Sequence, residues 1–103
     1  MFVQVSGVIK ISKLQHWHYT NDASSNTTIT FDVSKLSNLS FAYRAYQWGR
    51  CRVYTDKEGI LDTRFGSGSL THNISNASTL TFYLEGSAYA SWEPYYFENI
   101  VIS

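Results

Sequence analysis

The sequence has one cysteine, Cys51, which excludes an internal disulfide and leaves stability to the core alone. That usage suits a chain folded in a reducing cytoplasm. Charge is scarce at 16% and balanced, eight basic side chains against eight acidic. A neutral chain has no surplus of cations to neutralise a phosphate backbone, so no nucleic-acid partner is expected. No apolar run approaches the roughly 20 residues of a membrane helix, and no membrane partner is expected. The start, Met1-Phe2-Val3-Gln4, lacks the basic cap and apolar stretch of a secretion signal, so no signal peptide is expected. With 44% hydrophobic residues, extended disorder is excluded. The sequence has one proline, and nowhere do apolar residues recur at helical spacing for three turns.

What is abundant points to strands. Seventeen aromatics, eight Tyr, six Phe and three Trp, stand beside 14 Ser and nine Thr. Tyr, Thr, Val, Ile and Phe suit a pleated, half-buried surface. Period-two alternation dominates, placing Ile29, Phe31 and Val33 on one face and Leu39, Phe41 and Tyr43 on another. Residues 3–11 read as an opening strand bent at Gly7, and 51–55 and 60–65 as a hairpin around Asp56-Lys57-Glu58-Gly59. In that turn Asp56 is expected to bond back to turn amides and Gly59 to take positive φ. Gly66-Ser67-Gly68-Ser69 reads as a chain break, and 70–74, 79–85 and 95–102 complete the strands. The expectation is one all-β domain over 1–103 with a radius near ~13 Å.

An internal repeat reinforces that reading. Residues 28–41, TITFDVSKLSNLSF, align without a gap to 69–82, SLTHNISNASTLTF. Five of the fourteen positions are identical and five more conservative, and each copy is strand, Ser-x-x-Ser turn, strand. The serine hydroxyls are expected to satisfy turn amides.

These motifs carry a resemblance. A strand ending in Asp32-Val33-Ser34 or Asn73-Ile74-Ser75, then Leu39-Ser40-Phe41 or Leu80-Thr81-Phe82, then a closing Phe97-Glu98-Asn99-Ile100-Val101-Ile102, resembles the galactose-binding-domain-like jelly rolls. Those include many carbohydrate-binding modules and the glycan-binding modules of bacteriophage tail and baseplate proteins. The similarity spans residues 27–102. It implies a two-sheet antiparallel β-sandwich (jelly roll) of about eight or nine strands. The family often holds a structural calcium with carboxylates near the first strand and an Asp-Asn-Ile-like closing strand. Glu98-Asn99-Ile100 matches the second part, whereas residues 2–6 offer Gln4 and no carboxylate. No other cofactor is expected.

In an antiparallel sandwich, successive loops fall at alternate ends. One end then carries residues 35–38, 57–59 and 75–78, which are short, polar and free of aromatics. The other collects 20–26, 47–49, 66–69 and 86–94, with Trp48, Tyr89 and Trp92 and with Tyr19, Tyr46 and Tyr95 at the margins. Sugars present flat apolar faces ringed by hydroxyls, so rings that stack beside planar polar groups suit them. The expected ligand-binding set is Trp48, Trp92, Tyr46, Tyr89, Tyr95, Arg50, Asn21, Asp22 and Glu93. The competing assignment for Trp92 and Tyr95 is as core plugs.

Arg44, Tyr46, Trp48, Arg50 and Arg52 share a face if that segment stays extended. The alternative is that Gly49 breaks it and the arginines are solvated or paired with Asp32, Asp62 or Glu85. His16 and His18 have the spacing of a metal pair without a third ligand nearby, so surface histidines are expected and no metal. Cys51 alternates with Val53 and reads as a small core hydrophobe, and His72, standing where the other repeat copy has Phe31, as a core-edge residue. Glu85, Glu93 and Glu98 do not make a glycosidase, which needs two carboxylates across a cleft.

The expected function is a non-catalytic glycan-binding module of a phage tail or baseplate adhesion device, recognising host surface polysaccharide within a larger or oligomeric assembly. The alternative is a structural virion component whose aromatic end docks on protein.

Overall fold

Alternating apolar and polar residues give each strand one face for the core and one for water. The computed structural model describes residues 2–4, 7–16, 26–45, 49–86 and 95–103, and among them nine strands and no helix. The strands are β1 (Phe2–Gln4), β2 (Ile9–His16), β3 (Asn26–Asp32), β4 (Asn38–Ala45), β5 (Arg50–Thr55), β6 (Gly59–Thr63), β7 (Gly66–Asn73), β8 (Thr79–Glu85) and β9 (Tyr95–Ile102).

They form two stacked sheets, ordered β1-β3-β8-β5-β6 and β2-β9-β4-β7. The antiparallel pairs β5·β6, β4·β7, β3·β8 and β2·β9 are nested one inside the next. The chain is thus a long hairpin turning at residues 56–58, and successive pairs are dealt alternately to the two sheets. Two further antiparallel contacts, β4·β9 and β5·β8, close each sheet, and only β1 runs parallel to its neighbour, β3. The radius of gyration is 13.4 Å.

The sheets meet in one core. Phe31, Val33, Leu39, Phe41, Cys51, Val53, Leu80, Phe82, Leu84, Phe97, Ile100 and Ile102 are all buried, in the alternation read from the sequence. Phe82 lies at its centre, with ring centroids 5.1 Å from Phe97, 5.7 Å from Phe41 and 6.0 Å from Phe31, each near edge-to-face. Such pairs add about 0.5–1.5 kcal/mol to the ~1.5–3 kcal/mol of burying each ring. Cys51 sits in this layer, where burial pushes its thiol pKa up to about 12 and makes it inert.

The repeat is a pseudo-twofold in three dimensions. The pair Ile29↔Phe82 corresponds to Leu70↔Phe41, Thr30↔Thr81 to Thr71↔Ser40, and Phe31↔Leu80 to His72↔Leu39. Each copy therefore supplies the pairing partners of the other. The turns match as well. Ser34 N donates to Asp32 Oδ1 at 3.0 Å and Ser75 N to Asn73 Oδ1 at 2.9 Å. Leu36 N bonds Val33 O at 2.9 Å as Ala77 N bonds Ile74 O at 3.0 Å. It is the Asp32 carboxylate oxygen and the Asn73 carboxamide oxygen that accept from the turn amides, while the serine hydroxyls donate to those same oxygens.

Three local expectations are corrected. Residues 3–11 are not one strand, because the chain passes from one sheet to the other between β1 and β2. Gly66-Ser67-Gly68-Ser69 is not a break but the first half of β7, in register with residues 42–45, and Gly66 alone takes positive φ there, at 93°. In the β5–β6 turn, Thr55 Oγ1 accepts from the amides of Lys57 and Glu58, both at 3.0 Å. Asp56 instead reaches across to the amides of Ser78 (2.8 Å) and Thr79 (3.2 Å), and Gly59 has no positive φ.

Candidate functional site

The nested pairing sorts the connections by end. At one end the turns at 33–37, 56–58 and 74–78 bond to each other and to the closing strand. Val33 N donates to Ser78 O, Ile74 N to Ser37 O, and Ser37 N and Asn38 N both to Ser103 O. This end is stitched shut by main-chain bonds and carries no ring, as its sequence implies.

At the opposite end stand the strand ends His16, Asn26, Ala45, Arg50, Thr63, Gly66, Glu85 and Tyr95, placed together by the pairs His16↔Tyr95, Asn26↔Glu85, Arg50↔Glu85, Ala45↔Gly66 and Cys51↔Thr63. Trp48, Trp92, Tyr46, Tyr89, Asn21, Asp22 and Glu93 lie outside the described residues, as do Tyr19 and His18. Their flanking strand ends are all at this end.

Two members of the expected set are described, and they differ. Tyr95 is fully buried and packs its ring on Gly49, where a Cβ would fall 2.6–2.7 Å from three ring carbons. It is corrected from ligand contact to core plug, and burial raises its phenol pKa. Arg50 is on the outer face of the five-stranded sheet in a bidentate pair with Asp62, at 2.7 and 2.6 Å. That hydrogen bond holds Asp62 below the usual carboxylate range and raises Arg50. The pair is half open to solvent, so it contributes geometry more than stability, about 0–1 kcal/mol.

The arginine stripe is divided. Arg44 belongs to β4 in one sheet, and Arg50 and Arg52 to β5 in the other. Gly49 lies between, and Arg50 and Arg52 pair with Asp62 while Arg64 pairs with Glu85 at 2.7 Å.

What the sequence reading missed is the arrangement around Arg52. Register places Arg52 opposite Tyr83 and Asp62, with Tyr54 two residues along on the same face. Its guanidinium carbon lies 4.9 Å from the Tyr54 ring centroid and 5.9 Å from that of Tyr83. Thr30 and Thr81 join hydroxyls beside them at 3.0 Å. A shallow groove of about 270 Å³ runs along Arg52, Tyr54, Ile60 and Asp62. The period-two spacing of Arg50, Arg52 and Tyr54 was the available signal; Tyr83 joins them only through the β5·β8 register. Within these ion pairs three guanidinium groups stand against two carboxylates, 3 − 2, and Asp32, farther along β3 on the same face, is a third carboxylate.

Two larger grooves, about 360 and 310 Å³, lie on the four-stranded sheet along Ser40, Thr71 and Asn73 and along Ala42, Ser69 and Asn99. Their linings lack an exposed ring. Asn99 has φ 52° at a shift in register between β4 and β9, a backbone role that Asn fills readily. Among the described residues no three His, Cys, Asp or Glu side chains come together to hold a metal ion. His72 bonds Glu58 at 2.7 Å across the open side of the sandwich, as a core-edge residue.

Comparison with protein-family models, curated proteins and solved structures finds no match to this chain.

Proposed function

We propose that this chain is a non-catalytic carbohydrate-binding module whose ligand lies across the outer face around Arg52 and the adjoining loop end. The nested strand order supports reading the sandwich as a jelly roll, the architecture of the glycan-binding modules it resembles. The observation that carries the proposal is Arg52 seated against Tyr54 and Tyr83 beside the fixed Arg50–Asp62 pair. Flat apolar surface and in-plane donors and acceptors stand side by side there, as a sugar ring demands. Trp48 and Trp92 lie outside the described residues, in the stretches 46–48 and 87–94 that join strands whose ends stand at the loop end. Glu85 and Glu98 sit on opposite sheets, which supports binding without hydrolysis. The resemblance suggests a phage tail or baseplate setting and a bacterial surface polysaccharide as ligand.

The test is retention on immobilised bacterial surface polysaccharides. Trp48→Ala and Tyr83→Ala should each weaken it by up to about tenfold, the worth of one aromatic contact, with the melting curve kept. Unchanged retention by both variants overturns the proposal. A second reading, a protein-docking end in a virion, is favoured by Phe65, 54% exposed where β6 passes to β7. It expects no glycan signal and loss of a partner on Phe65→Ala.

A further inference from the structure

A sandwich of two open sheets has four edges, and each edge strand offers unpaired main-chain groups to any chain that meets it. Three of the four are defended. β1 is only three residues long. β6 is five residues long, has a register shift against β5 and carries Asp62. β2 carries the exposed Lys10 and Lys13. β7 has none of these protections. Its eight residues, Gly-Ser-Gly-Ser-Leu-Thr-His-Asn, include no proline, lysine, arginine or carboxylate. They pair with β4 from Asn38↔Asn73 to Ala45↔Gly66 without a shift, so the edge is continuous. Gly66, Ser67, Gly68, Ser69, Thr71 and Asn73 are exposed, and no described strand lies on the outer side.

The pseudo-twofold sharpens the contrast. The strand equivalent to β7 is β3, and its corresponding edge is covered by β1, through Phe2↔Thr30, Val3↔Phe31 and Gln4↔Asp32. The equivalent positions on β7, Thr71, His72 and Asn73, have no such cover among the described residues. The same edge geometry thus already accepts an added strand once in this molecule.

We propose that β7 is the contact strand of a twofold homodimer, pairing antiparallel with β7 of a second copy so that the two four-stranded sheets join into one. A second copy is the occupant because the edge is self-complementary. Directly opposed residues of an antiparallel pair share a face, so the twofold passes through Ser69 or Leu70. With the twofold at Leu70, Ser67 meets Asn73 and Ser69 meets Thr71 on one face, and Gly68 meets His72 and Leu70 its own copy on the other. With it at Ser69, Ser67 meets Thr71 and Ser69 its own copy on one face, and Gly66 meets His72 and Gly68 meets Leu70 on the other. No like charges are opposed, hydroxyl and amide groups can bond across, and the glycines leave the approach unobstructed. Because β7 runs from the loop end to the stitched end, the two loop ends of the dimer point in opposite directions. The assembly would therefore bridge two ligands rather than grip one surface twice. The inference stands whether or not the ligand is a glycan.

Charge reversal tests it. Sedimentation of the wild-type chain at up to about 1 mM should give twice the 11.8 kDa protomer mass. Ser69→Lys with Thr71→Lys, and separately Ser69→Asp with Thr71→Asp, should each give the protomer mass with an unchanged melting curve. Mixing the two should restore the dimer, a rescue that a misfolded variant cannot produce. A wild-type monomer throughout, a dimer indifferent to the lysines, or a mixture that stays monomeric would each overturn the proposal.

Discussion

Gly49→Ala probes the joint between the core and the loop end. A Cβ at this position falls 2.6 Å from Tyr95 Cδ1 and 2.7 Å from Cε1 and Cγ. Ordinary carbon contacts are ~3.5–4.0 Å, so ring or strand has to move by about 1 Å. Neither is free to do so cheaply, because Tyr95 is fully buried in β9 and Gly49 is buried at the mouth of β5. Overpacking of this kind costs about 1–3 kcal/mol, and each kcal/mol lowers the melting midpoint by about 4–8 °C in a domain near this size. The assay is a double-mutant cycle by thermal and urea unfolding. In a Tyr95→Leu background, which removes the contacted ring, Gly49→Ala should cost at least about 1 kcal/mol less than in the wild type. Equal costs in both backgrounds, or no cost in the wild type, would refute the packing of this ring on this glycine.

Phe82→Ala should cost about 3–5 kcal/mol by urea unfolding, a large part of a typical 5–15 kcal/mol total, since its ring meets three others. Phe65→Ala, at an exposed position, should stay within about 0.5 kcal/mol. Asp56 is held below its ordinary pKa first by the Ser78 amide and then by that of Thr79. A carboxylate depressed in the folded state stabilises above its unfolded value, near ~3.9, and that stabilisation is lost as pH falls through the folded value. Asp56→Asn should therefore lower the melting midpoint at pH 7 and change it little at pH 2, and an equal loss at both would contradict the assignment.

Retention on surface polysaccharide and the mass of the charge-reversed pairs decide the two proposals separately. Loss of binding without a change in mass leaves the dimer standing. A monomer that still binds leaves the ligand face standing.

Much of the architecture is legible in the alternation of residues such as Ile29, Phe31 and Val33, because a period of two puts side chains on opposite faces whatever the strand pairs with. The repeat, too, can be read without coordinates, since its Asp32-Ser34 and Asn73-Ser75 turns close through bonds two residues apart. Cys51 in the core and His72 at its edge follow from the same local pattern.

Tertiary structure decided what depends on partners distant in sequence. Tyr95 is aromatic beside a loop in either assignment; only the approach of Gly49, 46 residues away in the chain (95 − 49), made it a plug. Gly66-Ser67-Gly68-Ser69 has the composition of a break, yet pairing with β4 supplied the hydrogen bonds that its own side chains cannot. The cluster of Tyr83 with Arg52 and Tyr54 exists through register between β5 and β8. Short-range chemistry is written in neighbouring residues, whereas close approach and cross-strand register are properties of the closed fold.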